Sequence, residues 1–207
     1  NAAPISGDSG IMEIKKIALS GYHKKEKKQG VVAQKDALRD YIRKILSVVD
    51  TARLKPMTVV DNINFGPTAR NLRALAEHLP LTLTLLNADP NGEFPKGPPD
   101  PLLTGNRTET TELIKKTKPD FGVAWDSDAD RFYLFDENGR FLSGYFTTAV
   151  LARYLLGKYP RSKIIADPRL TWATRDVVEE AGGTLLLNKC GHSFIKERMI
   201  RESAVFG

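Results

Sequence analysis

Phe121-Gly122-Val123-Ala124-Trp125-Asp126-Ser127-Asp128-Ala129-Asp130-Arg131-Phe132-Tyr133-Leu134-Phe135 is the stretch on which the fold turns. Two apolar runs of strand length enclose three alternating aspartates and an arginine. The pattern predicts a strand over Phe121–Trp125, a tight loop, and a returning strand over Phe132–Asp136. In a continuing strand the three carboxylates would share one face and repel one another. In a loop they converge on one hard cation, which relieves the repulsion. An all-oxygen donor set favours Mg²⁺ or Ca²⁺ over zinc or copper. An EF-hand would also place Glu137 at its twelfth position, but it needs glycine where Arg131 stands and helices where these strands lie. The Asp-x-Asp motif of aspartate-nucleophile phosphatases is a further alternative, although that motif usually opens the first strand of its domain. Arg131 beside a cation reads as a phosphate clamp: the metal polarises one phosphoryl oxygen and the guanidinium pairs with others. An internal salt bridge to one of the aspartates is the plainer reading of the same residue.

Working outward, the chain alternates strands and helices. Before the loop come a short helix over residues 8–19, capped by Asp8 or Ser9, and an amphipathic helix over Gln34–Val49. A strand Met57–Asp61, a helix Thr68–Leu79 and a strand Leu81–Leu86 follow. Asn87–Asn106, with five prolines and three glycines, is a long surface loop leading to a helix over Thr108–Lys116. After the loop, Glu137-Asn138-Gly139 turns the chain back through Arg140–Leu142. The plan then restarts: helix Tyr145–Leu156, strand Lys163–Ala166, helix Thr171–Ala181, strand Thr184–Leu187, loop Asn188–Ser193 and helix Phe194–Glu202. Val59–Leu86 and Ile164–Leu187 share the order strand ending in Asp, turn, helix, strand. The expected fold class is therefore α/β: two consecutive three-layer domains with mixed sheets, the second truncated. The expected divisions are residues 1–33 as a tail of a preceding domain with a basic linker, 34–142 with the aspartate loop, and 143–207 as a partial domain.

Composition narrows the function classes. The 207 residues are 41% hydrophobic and 27% charged, which suits a soluble globular protein with a sizeable core. No apolar run approaches the roughly 18–20 residues that span a bilayer, and no signal peptide is visible, so no membrane partner and a cytoplasmic location are expected. The single cysteine, Cys190, excludes an internal disulfide and fits a reducing compartment. The net charge of +6 points to anionic ligands. Lys24-Lys25-Glu26-Lys27-Lys28 carries no interleaved aromatics, so it reads as a solvated linker with no nucleic-acid partner.

Asp-x-Asp-x-Asp-Arg after an apolar strand resembles the metal loop of the α-D-phosphohexomutases. Lys189-Cys190-Gly191-His192-Ser193-Phe194 resembles that family's third-domain loop, which opens a helix. Asp167-Pro168-Arg169-Leu170-Thr171-Trp172 resembles the preceding strand end in the bacterial phosphomannomutase branch of surface-polysaccharide pathways, and Pro4-Ile5-Ser6-Gly7-Asp8 resembles the close of the first domain. Ser127 stands where the family usually has Gly, and Cys190 where it has a small hydroxyl residue. No stretch matches the family's phosphoserine loop, so the chain is expected to be a central fragment.

The resemblance implies an Mg²⁺-dependent intramolecular phosphotransferase of the isomerase class. The parent would interconvert mannose 1-phosphate and mannose 6-phosphate through a phosphoserine and a hexose 1,6-bisphosphate, which also acts as activator. Asp126, Asp128 and Asp130 would hold the metal, and Arg131 would neutralise developing charge. Arg169, Lys189, Gly191, His192 and Ser193 would contact the sugar phosphate, with His192 as acid–base helper and Arg169 limited to binding because a guanidinium does not deprotonate. Glucose- or glucosamine-specific mutases share the visible motifs, and a non-catalytic metal-binding module would need only the aspartates. Oligomeric state is left open.

Overall fold

The chain's computed structural model describes residues 5, 7–22, 28, 30–169 and 171–207. Pro4, Ser6, residues 24–27 of the basic run, and Leu170 lie outside the described residues. The polypeptide divides into two compact units, Ala33–Ser143 and Asn1–Val32 together with Gly144–Gly207. In the latter, the first helix, α1, is Ile11–Leu19. Neither Asp8 nor Ser9 caps it; Gly10 takes that position without a side-chain hydrogen bond, and the Asp8 carboxylate meets the Lys189 ammonium instead.

In Ala33–Ser143 the order is α2 (Leu38–Leu46), β1 (Met57–Asn62), α3 (Ala69–Ala76), β2 (Leu81–Leu86), α4 (Thr108–Thr117), β3 (Phe121–Trp125), β4 (Phe132–Phe135) and β5 (Phe141–Leu142). They form one mixed sheet in the order β2-β1-β3-β4-β5, parallel through β2-β1-β3 and antiparallel through β3-β4-β5. β1 is an interior strand covered on both faces, so Val59, Val60, Asp61 and Asn62 are all buried. β2 alternates leucine and threonine because it lies at the edge with one face open. α4 seats Ile114 on Val60, Ala124 and Phe135, with Leu113 and Phe141 closing the cluster. α3 packs on β2, and α2 on α3. The parallel register Asn62↔Ala124 brings the C-terminal ends of β1 and β3 side by side, and the acidic loop leaves from there.

The long connection from Asn87 is pinned rather than loose. Arg107 donates to the carbonyls of Pro101 and Leu102, and its guanidinium stacks 3.7 Å from the Phe141 ring. Lys96 bonds to Glu109 at 2.6 Å.

The other unit continues with α5 (Gly144–Lys158), β6 (Lys163–Ala166), α6 (Trp172–Glu180), β7 (Thr184–Leu187) and α7 (His192–Glu202). β6 and β7 pair in parallel, and Phe206 forms a parallel bridge to Ile164 on the other side of β6. Ala152, Leu156, Ile164 and Val178 make the core. α7 begins at His192, two residues before the expected start at Phe194, because the Gly191 carbonyl already accepts from Ile195 and closes the first turn. No helix among the described residues is long and apolar enough to cross a membrane.

Candidate metal centre and phosphate loop

Asp126, Asp128 and Asp130 converge after β3, each offering a carboxylate oxygen within 4.8 Å of the others. The loop is tight. The Asp126 carbonyl accepts from Ala129 N–H at 3.2 Å, Ala129 adopts a left-handed backbone with φ 56°, and Asp126 N–H reaches the Arg131 carbonyl at 3.3 Å. Asp126 is 1% exposed, whereas Asp128 and Asp130 face solvent. Asp126 Oδ1 accepts from the Arg131 backbone at 3.1 Å. Its Oδ2 lies 2.5 Å from Arg131 Nη2, an ion-pair contact off hydrogen-bond geometry, so this buried oxygen has no directed partner among the described residues. Burial pushes the Asp126 carboxyl above its ordinary pKa, against the pull of the Arg131 N–H and guanidinium. Arg131 also reaches Asp130 at 3.3 Å. A buried carboxylate whose Oδ2 meets the Arg131 guanidinium, two exposed carboxylates and, among the described residues, no nitrogen or sulfur donor make a fitting cradle for a hard divalent cation.

Sequence reasoning overlooked what lies beneath this loop. Asp61 is 3% exposed and accepts from Trp125 Nε1 at 2.7 Å; burial raises its pKa to about 7, although that hydrogen bond pulls the other way. Asn64 Nδ2 donates to the Trp125 carbonyl at 2.6 Å. Asn64 N–H is held by Asn62 Oδ1 at 3.0 Å, and Asn62 Nδ2 donates to Thr110 on α4 at 2.9 Å. Asn64 and Phe65 take left-handed φ values of 50° and 63°. Gly66 passes so close that a Cβ there would stand 2.8 Å from the Ser127 carbonyl oxygen. The available signal was Asn64, a residue tolerant of left-handed backbone directly after a strand.

In the other unit, Arg169 does not extend as an open anion ligand. Its Nε and Nη2 grip the Asp167 carboxylate at 2.6–3.0 Å, and Nη2 lies 2.8 Å from Cys190 Sγ. The Arg169 guanidinium holds Asp167 well below the usual carboxylate range, and Asp167 in turn pushes the Cys190 thiol up. Lys189 pairs with Asp8 and sits 3.7 Å over the Phe194 ring. Gly191, at φ 121°, caps α7, so His192 and Ser193 occupy its first turn. Asp167, Arg169, Lys189, Cys190 and Gly191 thus form one loop cluster at the C-terminal ends of β6 and β7.

Residues 39–139 match the family model described as phosphoglucomutase/phosphomannomutase, alpha/beta/alpha domain II, and residues 143–207 match that of domain III. Phosphohexose mutases of Xanthomonas campestris pv. campestris are 40% identical over 206 residues, covering 100% of this chain and 46% of the relative. Phosphomannomutase of Vibrio cholerae is 39% identical over 209 residues, covering 99% of this chain and 45% of the relative. The chain thus spans about half the length of the curated relatives it matches. The solved phosphoglucomutase/phosphomannomutase family protein of Burkholderia thailandensis superimposes with a TM-score of 0.87 at 26% identity, covering 98% of this chain and 43% of that one. Sequence, fold and loop chemistry agree: the chain belongs to the phosphoglucomutase/phosphomannomutase family of phosphohexomutases.

Proposed function

We propose that this chain supplies the metal centre and one sugar-phosphate loop of a phosphomannomutase, which interconverts mannose 1-phosphate and mannose 6-phosphate. The observation that carries the reading is the convergence of Asp126, Asp128 and Asp130, each with a carboxylate oxygen within 4.8 Å of the others, beside Arg131. A bound Mg²⁺ would supply charge neutralisation and orientation to a phosphoryl group. Asp126, Asp128 and Asp130 would hold the cation. Arg131 is held at the loop by Asp126 and Asp130, where its guanidinium would be placed to pair with phosphoryl oxygens. Lys189 and Arg169 contribute positive charge to the sugar phosphate; Ser193 and the Gly191 turn present polar groups at the start of α7, where an anion is favoured. His192, in the same first turn, moves a proton to or from a sugar hydroxyl.

The transfer runs through a phosphoserine and a hexose 1,6-bisphosphate, and no serine loop of that kind occurs in this sequence. The purified chain with Mg²⁺, mannose 1-phosphate and a trace of the bisphosphate is therefore expected to make no mannose 6-phosphate. A full-length protein containing this chain is expected to make it and to prefer mannose 1-phosphate over glucose 1-phosphate in a coupled assay. Preference for glucose 1-phosphate would move the reading to a phosphoglucomutase, and turnover by the chain alone would show that the nucleophile lies within it.

A further inference from the structure

We propose that Asn64 is a positioning residue for the metal loop, its carboxamide clamping the backbone that aims Asp126. The inference rests on reading Asp126, Asp128 and Asp130 as the metal ligands. Three carboxylates repel, and the cost of gathering them falls on the loop backbone before any cation arrives. The structure shows what bears on that backbone. Asn64 Nδ2 donates at 2.6 Å to the Trp125 carbonyl, in the peptide plane directly preceding Asp126. A peptide unit is rigid, so holding that oxygen fixes the plane from which the Asp126 side chain departs. On the other side of Asp126, the Ser127 carbonyl rests against Gly66, where a Cβ would approach to 2.8 Å. The two carbonyls that flank the buried ligand are thus both seated on the turn after β1.

The clamp is itself anchored in the core. Asn64 is 8% exposed and Asn62 1%. Asn62 Oδ1 accepts from Asn64 N–H at 3.0 Å and from Asn87 Nδ2 at 3.1 Å, and Asn62 Nδ2 donates to the fully buried Thr110 at 2.9 Å. Asn64's φ of 50° suits asparagine, which tolerates this region, and aims the carboxamide at β3. A buried hydrogen-bonded string therefore runs from α4 through the end of β1 to the metal loop. Removing its last member frees the loop without touching a ligand. Outer-sphere partners that orient ligands typically matter by roughly 10–100-fold in metal affinity.

The test measures Mg²⁺ affinity by calorimetry and Mn²⁺ binding by electron paramagnetic resonance on the wild-type chain, Asn64→Gly, Asn64→Asp and Ile114→Val. Asn64→Gly keeps the left-handed backbone and deletes the donor; Asn64→Asp keeps size and shape and replaces the donor with an acceptor. Ile114→Val loosens the same core without altering a residue of the loop or of the Asn64 hydrogen-bonded string, and serves as the stability control. The expected result is at least a roughly tenfold loss of affinity and an altered Mn²⁺ spectrum in both Asn64 variants, with Ile114→Val like wild type. If Asn64→Gly does not fold, the isosteric Asn64→Asp carries the comparison. Wild-type affinity in the folded Asn64 variants overturns the proposal, as does an equal loss in Ile114→Val. Absence of metal binding in the wild type overturns the metal reading on which it rests, a separate failure.

Discussion

Asp61 and Asp167 stand at the C-terminal ends of equivalent strands in the two units, each followed by a turn, a helix and a second parallel strand, yet their electrostatics are opposite. Asp61 is buried under Trp125 with one neutral hydrogen bond, and burial lifts its pKa to about 7. Asp167 meets a guanidinium two residues ahead and is held strongly ionised. The same contrast separates the loops they support. In the aspartate loop, carboxylate charge exceeds what Arg131 neutralises, and one buried oxygen lacks a directed partner. In the loop cluster of the other unit, Asp167 and Asp8 already occupy Arg169 and Lys189. One unit presents excess negative charge, which suits a cation; the other holds positive charge already paired to internal carboxylates.

The largest expected effect lies at the aspartates proposed as metal ligands. Asp128→Ala is expected to reduce Mg²⁺ affinity by more than the roughly 10–100-fold typical of an outer-sphere change, while Asp167→Asn leaves it unchanged. Calorimetry on both variants decides this; equal affinities would erase the distinction between the loops.

The next largest effect is on stability. Asp61 binds its proton more tightly in the folded state, so its destabilising influence is absent below about pH 4 and fully present above about pH 7. Asp61→Asn keeps an acceptor for Trp125 Nε1 and removes the buried charge. It is expected to stabilise the Ala33–Ser143 unit by roughly 3 kcal/mol at pH 8 and to do almost nothing at pH 4, as read by urea denaturation at the two pH values.

Two glycines sharpen the contrast further. Gly66→Ala brings a Cβ to 2.8 Å from the Ser127 oxygen, and Gly191→Ala forces a residue with φ 121° against the Phe194 ring. Each is expected to cost about 1–3 kcal/mol, but only Gly66→Ala should weaken Mg²⁺ binding. The smallest effect is that of Asp167→Asn on stability. Its carboxylate contributes above its unfolded pKa, and the contribution disappears as pH falls through the lowered folded value. With Arg169 largely exposed, the loss at pH 7 is expected to be slight and to fade in high salt, visible as converging melting temperatures.

Short-range pattern carried most of the architecture. Leu81–Leu86, Phe121–Trp125, Lys163–Ala166 and Thr184–Leu187 form strands at the positions that apolar runs and flanking turn residues indicate. The helices shorten or shift at their ends, where capping depends on geometry: α1 starts at Ile11 after Gly10 without a side-chain cap, and α7 starts at His192. The aspartate cluster was visible because its members lie two residues apart. Its support was not. Asn64 and the Trp125 carbonyl are 61 positions apart, Asp61 and Trp125 64, Asn62 and Thr110 48. No local period links such pairs; the parallel pairing of β1 with β3 and the seating of α4 bring them together. The same holds for charge. Asp61 and Asp167 each end an apolar strand in the sequence, and only the three-dimensional surroundings made one a carboxyl that retains its proton to about pH 7 and the other the anchor of Arg169. Local sequence therefore set which segments become strands and helices and where the three aspartates gather, because those depend on neighbours along the chain. Tertiary structure alone decided which carboxylates are buried, which cations they hold and what backbone aims them, because desolvation and hydrogen bonding depend on neighbours in space.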